Sequence, residues 1–295
     1  MRIPLPAGLA TALGALPPLA PLDVSKLLAG TVPHLPAAPT VVISGQSIDA
    51  GRFEPAIEFL ECLRGRVEPF VMSVTGPVTV ELELLAQGFD PAAAAEAAIN
   101  VVTGAGFRLL DAASQLVPGA PPLLFLEEPG LVNSMHPTFP LTSANIESVV
   151  GNTVRPLSDD AMVGIHVDGR ADWAVLLRTG IGVLGAPITA GLESAAAELS
   201  RFLESGGFVA WGAVAVDEPL GTSSDRQWSR LTTLWSDLAR LGLDPMLLRE
   251  QSIITPAAGL GNFGLSQAER ILRITADLGD RVLTQVHGAR LTVGA

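Results

Sequence analysis

The chain has 295 residues, of which 48% are hydrophobic and only 16% are charged, against about 25% charged in an average globular protein. Its 30 acidic and 18 basic residues give a net charge of −12, which argues against nucleic acid and anionic membranes as partners, because both require clustered Lys and Arg. The single cysteine, Cys62, excludes an internal disulfide and a cysteine-based metal cluster. Prolines interrupt the apolar N-terminus, so we expect no signal peptide and a cytoplasmic protein.

Short apolar runs alternate with Ala- and Leu-rich stretches, which is typical of repeated βαβ units and a parallel sheet. We predict a single (β/α)8 TIM barrel that forms one domain over residues 1–295. The predicted strands lie at residues 41–44, 68–74, 123–126, 162–167, 182–184, 208–215 and 252–255. An eighth strand would come from residues 283–286 or from the N-terminal fifth of the chain. The predicted helices lie at residues 90–114, 189–205, 224–241 and 266–278.

A turn with the sequence TGPVT, at residues 75–79, follows the second predicted strand. Gly76 permits a sharp turn, and Pro77 suits the first turn of the next helix. In a barrel, functional groups gather where strands end at the carboxyl-terminal face. We therefore predict that Ser73 and Thr75 lie near the barrel mouth and bind substrate. An ordinary strand-to-helix turn is the alternative.

Two pairs of adjacent carboxylates, each followed by proline, end the third and sixth predicted strands. The pairs are Glu127 with Glu128 and Asp217 with Glu218. Because neighbouring side chains of a strand point to opposite faces, only one of Glu127 and Glu128 can face the barrel axis. We predict that Glu128 is catalytic and that Glu127, Asp217 and Glu218 bind substrate. Solvated turns that lead into helices are the alternative.

His166 and Asp168 lie in the segment HVDG, at residues 166–169, with which the fourth predicted strand ends. Their i, i+2 spacing places both side chains on one face if the strand continues, within reach of one ligand or metal. We predict that both are catalytic, with a hydrogen-bonded structural histidine as the alternative. In the last turn, residues 255–261 (TPAAGLG), Gly259 and Gly261 are a weak sign of an anion site at a helix N-terminus.

In their order along the chain, these turns resemble the cobalamin-independent methionine synthase branch of the uroporphyrinogen decarboxylase superfamily. TGPVT, E-E-P, H-x-x-G and the closing T-P-x-x-G-L-G follow each other as in that family, whereas residues 1–60 match poorly and look abbreviated. The resemblance implies a barrel whose zinc is bound by a His-x-Cys turn, a Glu on a following strand and a Cys in the closing turn. There the metal activates a thiol, which attacks a methylated folate or a methylcorrinoid.

The zinc site of that family is largely missing from this sequence. His166 matches the family's histidine, but Asp168 and Ala258 stand where the two cysteines should be. Near the expected glutamate the chain has residues 185–187 (GAP), which offer no metal ligand. Three protein ligands are the usual minimum for catalytic zinc, so we predict no metal and no resident cofactor. By resemblance, a methylated folate or a methylcorrinoid would be the methyl donor.

Three functions stay open at this point. The first is an enzyme that works on a small polar molecule without zinc, by methyl transfer or by a decarboxylase- or lyase-like reaction. In it His166 is the base and Asp168 the orienting carboxylate, while Glu128 and Asp217 hold the substrate. The second is a non-catalytic protein that binds a ligand, or that forms a homo-oligomer or a complex with an intact paralogue. In the third, His166, Asp168 and Glu128 bind a harder metal.

Overall fold

The structure, a computed structural model, describes residues 4–219, 221 and 223–293, and it contains one sheet of seven parallel strands. The order of the strands in the sheet is β1-β7-β6-β5-β4-β3-β2, so that the first and last strands of the chain are neighbours. The predicted α/β class with a parallel sheet is confirmed. The strands are β1 (Leu9–Ala10), β2 (Phe70–Thr75), β3 (Pro122–Glu127), β4 (Met162–His166), β5 (Val183–Pro187), β6 (Phe208–Val214) and β7 (Ser252–Pro256).

Helices connect successive strands, as parallel pairing requires. Asp90 caps one of them, because its carboxylate accepts hydrogen bonds from the N–H groups of Ala92 and Ala93. No helix in the described part of the chain has both the length and the hydropathy needed to cross a membrane. The α-helices are α1 (Pro21–Thr31), α2 (Glu54–Cys62), α3 (Pro77–Ala86), α4 (Pro91–Leu116), α5 (Ser143–Leu157), α6 (Trp173–Leu176), α7 (Ala196–Glu204), α8 (Asp225–Arg240), α9 (Pro245–Glu250) and α10 (Leu265–Val293).

An extended segment at residues 36–43 runs parallel to β2 on the free edge of the sheet. The N–H of Ala38 donates to the carbonyl of Val71 at 2.8 Å, and the N–H of Val41 donates to the carbonyl of Ser73 at 2.9 Å. Its bridges to β2 are isolated, so it is not a regular strand. The predicted strand at 41–44 overlaps only the end of this segment. The sheet is therefore extended by one further, irregular element.

The sheet is curled, because side chains from both of its edges meet in one buried cluster. Leu5, Leu9 and Leu13 come from β1 and the residues around it, whereas Ala37 comes from the segment beyond β2 and Leu35 directly precedes that segment. Each of the other strands contributes to the same cluster, which lies on the concave face. These further members are Val71, Leu123, Phe125, Met162, Val183, Phe208, Ala210 and Ile253. A larger core packs between the convex face and the helices.

Two predictions about the end of the chain need correction. Residues 283–286 are helical and lie within α10, so they do not supply a strand; the additional strand is β1, in the N-terminal fifth. The helix predicted at 266–278 extends to Val293, because its buried stripe continues through Val282 and Val286 at helical spacing. The helix predicted at 189–205 is divided, since a 3₁₀ turn at Leu192–Ala195 precedes α7.

Candidate functional site

A cavity of about 560 Å³ opens at the carboxyl-terminal ends of β2, β3, β4 and β7. This is the edge of a parallel sheet where ligands bind in most α/β proteins. Thr75, Glu127, His166 and Asp168, all predicted site residues, line it together. The structure thus brings half of the eight predicted residues to one place. The rest of the lining is Gly14, Ala15, Thr40, Val42, Ile43, Thr79, Glu83, Pro129, Val216, Ala258, Gly259, Gly261, Asn262 and Phe263.

The central feature of this cavity is a hydrogen-bonded pair formed by His166 and Glu127. His166 Nδ1 lies 2.6 Å from Glu127 Oε2, and the two residues are only 3% and 8% exposed. The register of the sheet causes this contact, because Glu127 on β3 is the direct partner of His166 on β4. The N–H of Gly14 donates to the other carboxylate oxygen, Oε1, at 3.0 Å. Both oxygens of Glu127 are therefore hydrogen-bonded.

Glu127 determines the protonation of the imidazole. Burial alone lowers the pKa of His166, but the charge and the hydrogen bond of Glu127 outweigh burial, and Asp168 adds a smaller effect. The pKa of His166 is consequently raised above its ordinary value of about 6.5. A carboxylate accepts but does not donate, so Nδ1 carries the proton that binds Glu127. The other ring nitrogen, Nε2, is the one left to exchange a proton with a ligand.

Two glycines leave room for the imidazole of His166. A Cβ atom on Gly185 would lie 3.0 Å from His166 Cδ2, and a Cβ atom on Gly14 would lie 3.7 Å from His166 Cε1. Gly14 also has a φ of +77°, which is a left-handed conformation that favours glycine. A larger residue at Gly185 would crowd the ring, whose orientation is set by the hydrogen bond between Nδ1 and Glu127.

Glu128, which was predicted to be catalytic, is directed away from the cavity. It is fully buried, and its carboxylate accepts hydrogen bonds from the N–H groups of Val78 and Thr79, at 2.8 and 2.7 Å, and from the Thr79 hydroxyl at 2.6 Å. It thus binds the N-terminus of α3. Burial raises the pKa of Glu128 to about 7, although these hydrogen bonds favour the ionised form. The alternation expected along β3 is observed, with Glu127 as the carboxylate that faces the cavity.

Gly76 explains why Glu128 can occupy this position. A Cβ atom on Gly76 would lie 2.2 Å from Glu128 Cδ, so no other residue fits beside the buried carboxyl group. The glycine of the TGPVT turn is therefore required by packing. Thr75 takes part in the site differently, because its hydroxyl accepts a hydrogen bond from the N–H of Ile43 at 2.9 Å and lines the cavity. Ser73 is buried on β2 and does not line the cavity.

Asp217 and Glu218 line a second cavity, of about 430 Å³, next to the first. The two cavities share Asp168, Val216 and Ala258. Glu218 is paired with two arginines: its carboxylate lies 2.8 Å from Arg226 and 3.1 Å from Arg230. Asp217 and Glu218 are therefore neighbours of the His166 cavity and not part of it.

The residues present do not fit the zinc site that the resemblance implies. The positions that match the family's four zinc ligands do lie close together. His166, Asp168 and Ala258 line one cavity, and Gly185 packs against the imidazole. Only His166 and Asp168 offer donor atoms, however. Within the described ranges, no group of three or more His, Cys, Asp or Glu side chains is arranged to hold a metal ion. A metal shared by His166, Asp168 and Glu128 is not supported either, since the Glu128 carboxylate is bound to α3.

Sequence reasoning missed the part of the site that comes from residues 14–43 and from α3. Gly14, Thr40 and Ile43 lie in the region that matched no motif. Glu83 lies one helical turn after Thr79, and this i, i+4 spacing from the TGPVT turn could have indicated it. The pair Gly259 and Gly261 has a packing role, because a Cβ atom on Gly259 would lie 2.6 Å from Ala15 N. Their proposed binding of an anion stays a prediction.

Comparison with known proteins yields only structural similarity. No protein-family model matches the sequence, and no curated protein does. A crystal structure of a glycoside hydrolase is 12% identical and has a TM-score of 0.52, over 95% of this chain and 98% of that chain. A double mutant of Cellulomonas fimi endo-beta-1,4-mannanase is 14% identical with a TM-score of 0.47, over 90% of this chain and 71% of that one. Dihydrodipicolinate synthase from Agrobacterium tumefaciens is 14% identical with a TM-score of 0.42, covering 93% and 78%.

At such low identity, only the overall fold is comparable. The glycoside hydrolase supports an α/β fold of the TIM-barrel type for this chain, and its activity is not transferred. The other two similarities are too weak to carry an argument. The function of this protein has to be inferred from its own site.

Proposed function

We propose that this protein is an enzyme that uses His166 as a general acid–base catalyst on a small polar molecule bound in the 560 Å³ cavity. The observation that carries the proposal is the buried pair of Glu127 and His166 on the floor of that cavity. A histidine oriented by a carboxylate, with its second nitrogen toward a cavity, is the usual arrangement of a catalytic base. The carboxylate that positions the histidine in this proposal is Glu127, and not Glu128.

The two states of the imidazole have different roles in the reaction. In the neutral state, Nδ1–H donates to Glu127, and the lone pair of Nε2 accepts a proton from the substrate. In the protonated state, the negative charge of Glu127 stabilises the imidazolium, which can return the proton to a leaving group or product. The N–H of Gly14 donates a hydrogen bond to Oε1 of Glu127 and so helps to hold this carboxylate beside the ring. Asp168, at the edge of the cavity, is available to orient the substrate.

The test is a comparison of turnover between matched histidine variants. A library of small metabolites is incubated with the protein, and consumption is followed by mass spectrometry. We expect the wild-type protein to consume one chemical class, His166→Gln to lose this activity, and Glu127→Gln to retain a small fraction. His136→Gln, which changes an exposed histidine outside the cavity, is the control. Equal consumption by wild type and His166→Gln contradicts the proposal. Binding without consumption favours the non-catalytic alternative.

We further propose that the fold is a complete (β/α)8 barrel, diverged from the cobalamin-independent methionine synthase branch of the uroporphyrinogen decarboxylase superfamily. The segment at 36–43 serves as the eighth strand in this proposal. Its support is that Leu13 and Leu35, next to opposite edges of the sheet, belong to one buried cluster. The ancestry is supported by the convergence of His166, Asp168, Gly185 and Ala258. No methyl-transfer step is derived, because the residues do not fit zinc.

Rebuilding the metal site tests this ancestry. Asp168→Cys combined with Ala258→Cys would give, with His166, the three ligands that a catalytic zinc site needs. We expect calorimetry to show one bound Zn²⁺ in the double variant and none after His166→Ala is added. Failure of the double variant to bind zinc would contradict the placement of these positions. Tight binding by the wild type would contradict the loss of the site.

Three further expectations remain proposals. The cytoplasmic location is supported by the single cysteine. A methylated folate or methylcorrinoid as a methyl donor rests on the resemblance alone. A homo-oligomer or a paralogous partner subunit likewise rests on the sequence, and size-exclusion chromatography with light scattering would detect it.

A further inference from the structure

The cavity that contains His166 is unusually rich in negative charge. Its lining includes the carboxylates of Glu83, Glu127 and Asp168, and none of the described residues that line it is Lys or Arg. When His166 is protonated, it neutralises Glu127, and two negative charges remain. When His166 is neutral, three remain. In either state of the acid–base pair, the potential inside the cavity favours a cation.

Two of these carboxylates are free to bind a ligand. Glu127 is occupied, because it accepts hydrogen bonds from His166 and Gly14. Glu83, which is half-buried on α3, and Asp168, which is exposed after β4, have neither a hydrogen bond nor a salt bridge among the described side chains. This contrasts with Glu218 in the neighbouring cavity, which is paired with Arg226 and Arg230. The His166 cavity therefore retains its charge, whereas the neighbouring one is partly neutralised.

The remaining wall of the cavity is mainly apolar. Val42, Ile43, Val216 and Phe263 line it, and Phe263 packs against the hydrophobic core. An apolar wall with a few carboxylates suits a ligand that has a positively charged group on a hydrocarbon or aromatic body. A ligand with a carboxylate or a phosphate finds no Lys or Arg in the described lining of this cavity, and the charge of protonated His166 is already balanced by Glu127.

We infer that the substrate of this site is a small amine or other organic cation, selected by Glu83 and Asp168. This inference rests on the proposed function, since it names the chemical class that His166 acts on. It assigns a role to Glu83, which no sequence motif indicated. In the bound state, the cationic group lies between Glu83 and Asp168, and the rest of the molecule extends over the apolar wall toward His166.

Three probes of nearly equal shape and different charge test this inference: benzylammonium, benzyl alcohol and benzoate. Binding is followed at pH 7.5 by NMR, through the imidazole signals of His166 in the intact protein. We expect benzylammonium to bind about tenfold more tightly than benzyl alcohol, with benzoate weakest, and we expect the preference to shrink as salt is added. Glu83→Gln and Asp168→Asn should each reduce the preference about three- to tenfold.

Glu96→Gln is the matched control, because it removes one negative charge from an exposed position on α4, outside the cavity. It should leave all three affinities unchanged. Equal affinity for the three probes, or a preference that survives both Glu83→Gln and Asp168→Asn, overturns the selection of cations and leaves the acid–base function intact. If none of the probes perturbs His166, the cavity does not accept small molecules, and the proposed function fails as well.

Discussion

Replacing Glu127 with Gln should lower the pKa of His166 below its ordinary value of about 6.5. The substitution retains an oxygen that can accept from Nδ1, but it removes the negative charge that lies 2.6 Å from the ring. An opposite charge at this distance raises the pKa of a histidine by about 1–3 units, which corresponds to roughly 1.4–4 kcal/mol. Once that charge is gone, burial becomes the main influence, and burial lowers the pKa of His166.

The pKa is measured by NMR titration of the imidazole carbons, and the signal of His166 is assigned by its absence in His166→Gln. Asp168→Asn is the matched control. It also removes one carboxylate charge, but Asp168 is exposed and has a smaller effect on His166, so the pKa should fall by less than about one unit. A pKa that stays above about 6.5 in Glu127→Gln would refute the reasoning, because Glu127 would then not be what stabilises the imidazolium.

Two predictions concern stability and are measured by urea denaturation. Gly76→Ala should lower the free energy of unfolding by about 3–5 kcal/mol, because the new Cβ atom displaces the Glu128 carboxyl group from three hydrogen bonds. Gly104→Ala is the control. It adds a Cβ atom in open space on α4 and should raise the free energy of unfolding by about 0.5–1 kcal/mol. Similar effects of the two substitutions would contradict the packing role of Gly76. The raised pKa of His166 contributes stability that is fully present below about pH 6.5 and is lost as the pH rises through the folded-state pKa. This loss should be absent in His166→Gln, and an unchanged pH profile in that variant would argue against the pair.

The sequence predicted the elements that have strong local patterns. The apolar strands from β2 to β7 were found because each is buried and ends in a polar or Gly/Pro turn. His166 and Glu127 were both named as site residues, since each lies at the carboxyl end of a predicted strand. The sequence did not show the register of β3 against β4, and it is this register that places Glu127 beside His166. Glu128 was predicted to be catalytic, whereas its carboxylate accepts hydrogen bonds from the start of α3, a contact between residues distant in sequence that no local pattern reveals.

Sequence patterns could not predict the N-terminal part of the site. β1 has only two residues, too few for a recognisable period, and its partner β7 lies near the other end of the chain. The segment at 36–43 is irregular, so the strand predicted at 41–44 marked only its end. Gly14 contributes an N–H group and Glu83 contributes a carboxylate, and tertiary contacts position both groups in the site. Gly14 lies in a region that matched no motif, and only the spacing of Glu83 from Thr79, one helical turn, could have indicated Glu83.

The pairing of β1 with β7 has a consequence for the order in which the protein folds during synthesis. Leu9 is paired with Ile253, so β1 can join the sheet only after almost the whole polypeptide has been synthesised. Gly14, which follows β1, then supplies the last hydrogen bond to Glu127. A nascent chain can therefore bring Glu127 and His166 together, but Glu127 then lacks the hydrogen bond from Gly14. The hydrogen bonding of Glu127 is complete only when both ends of the sheet have met.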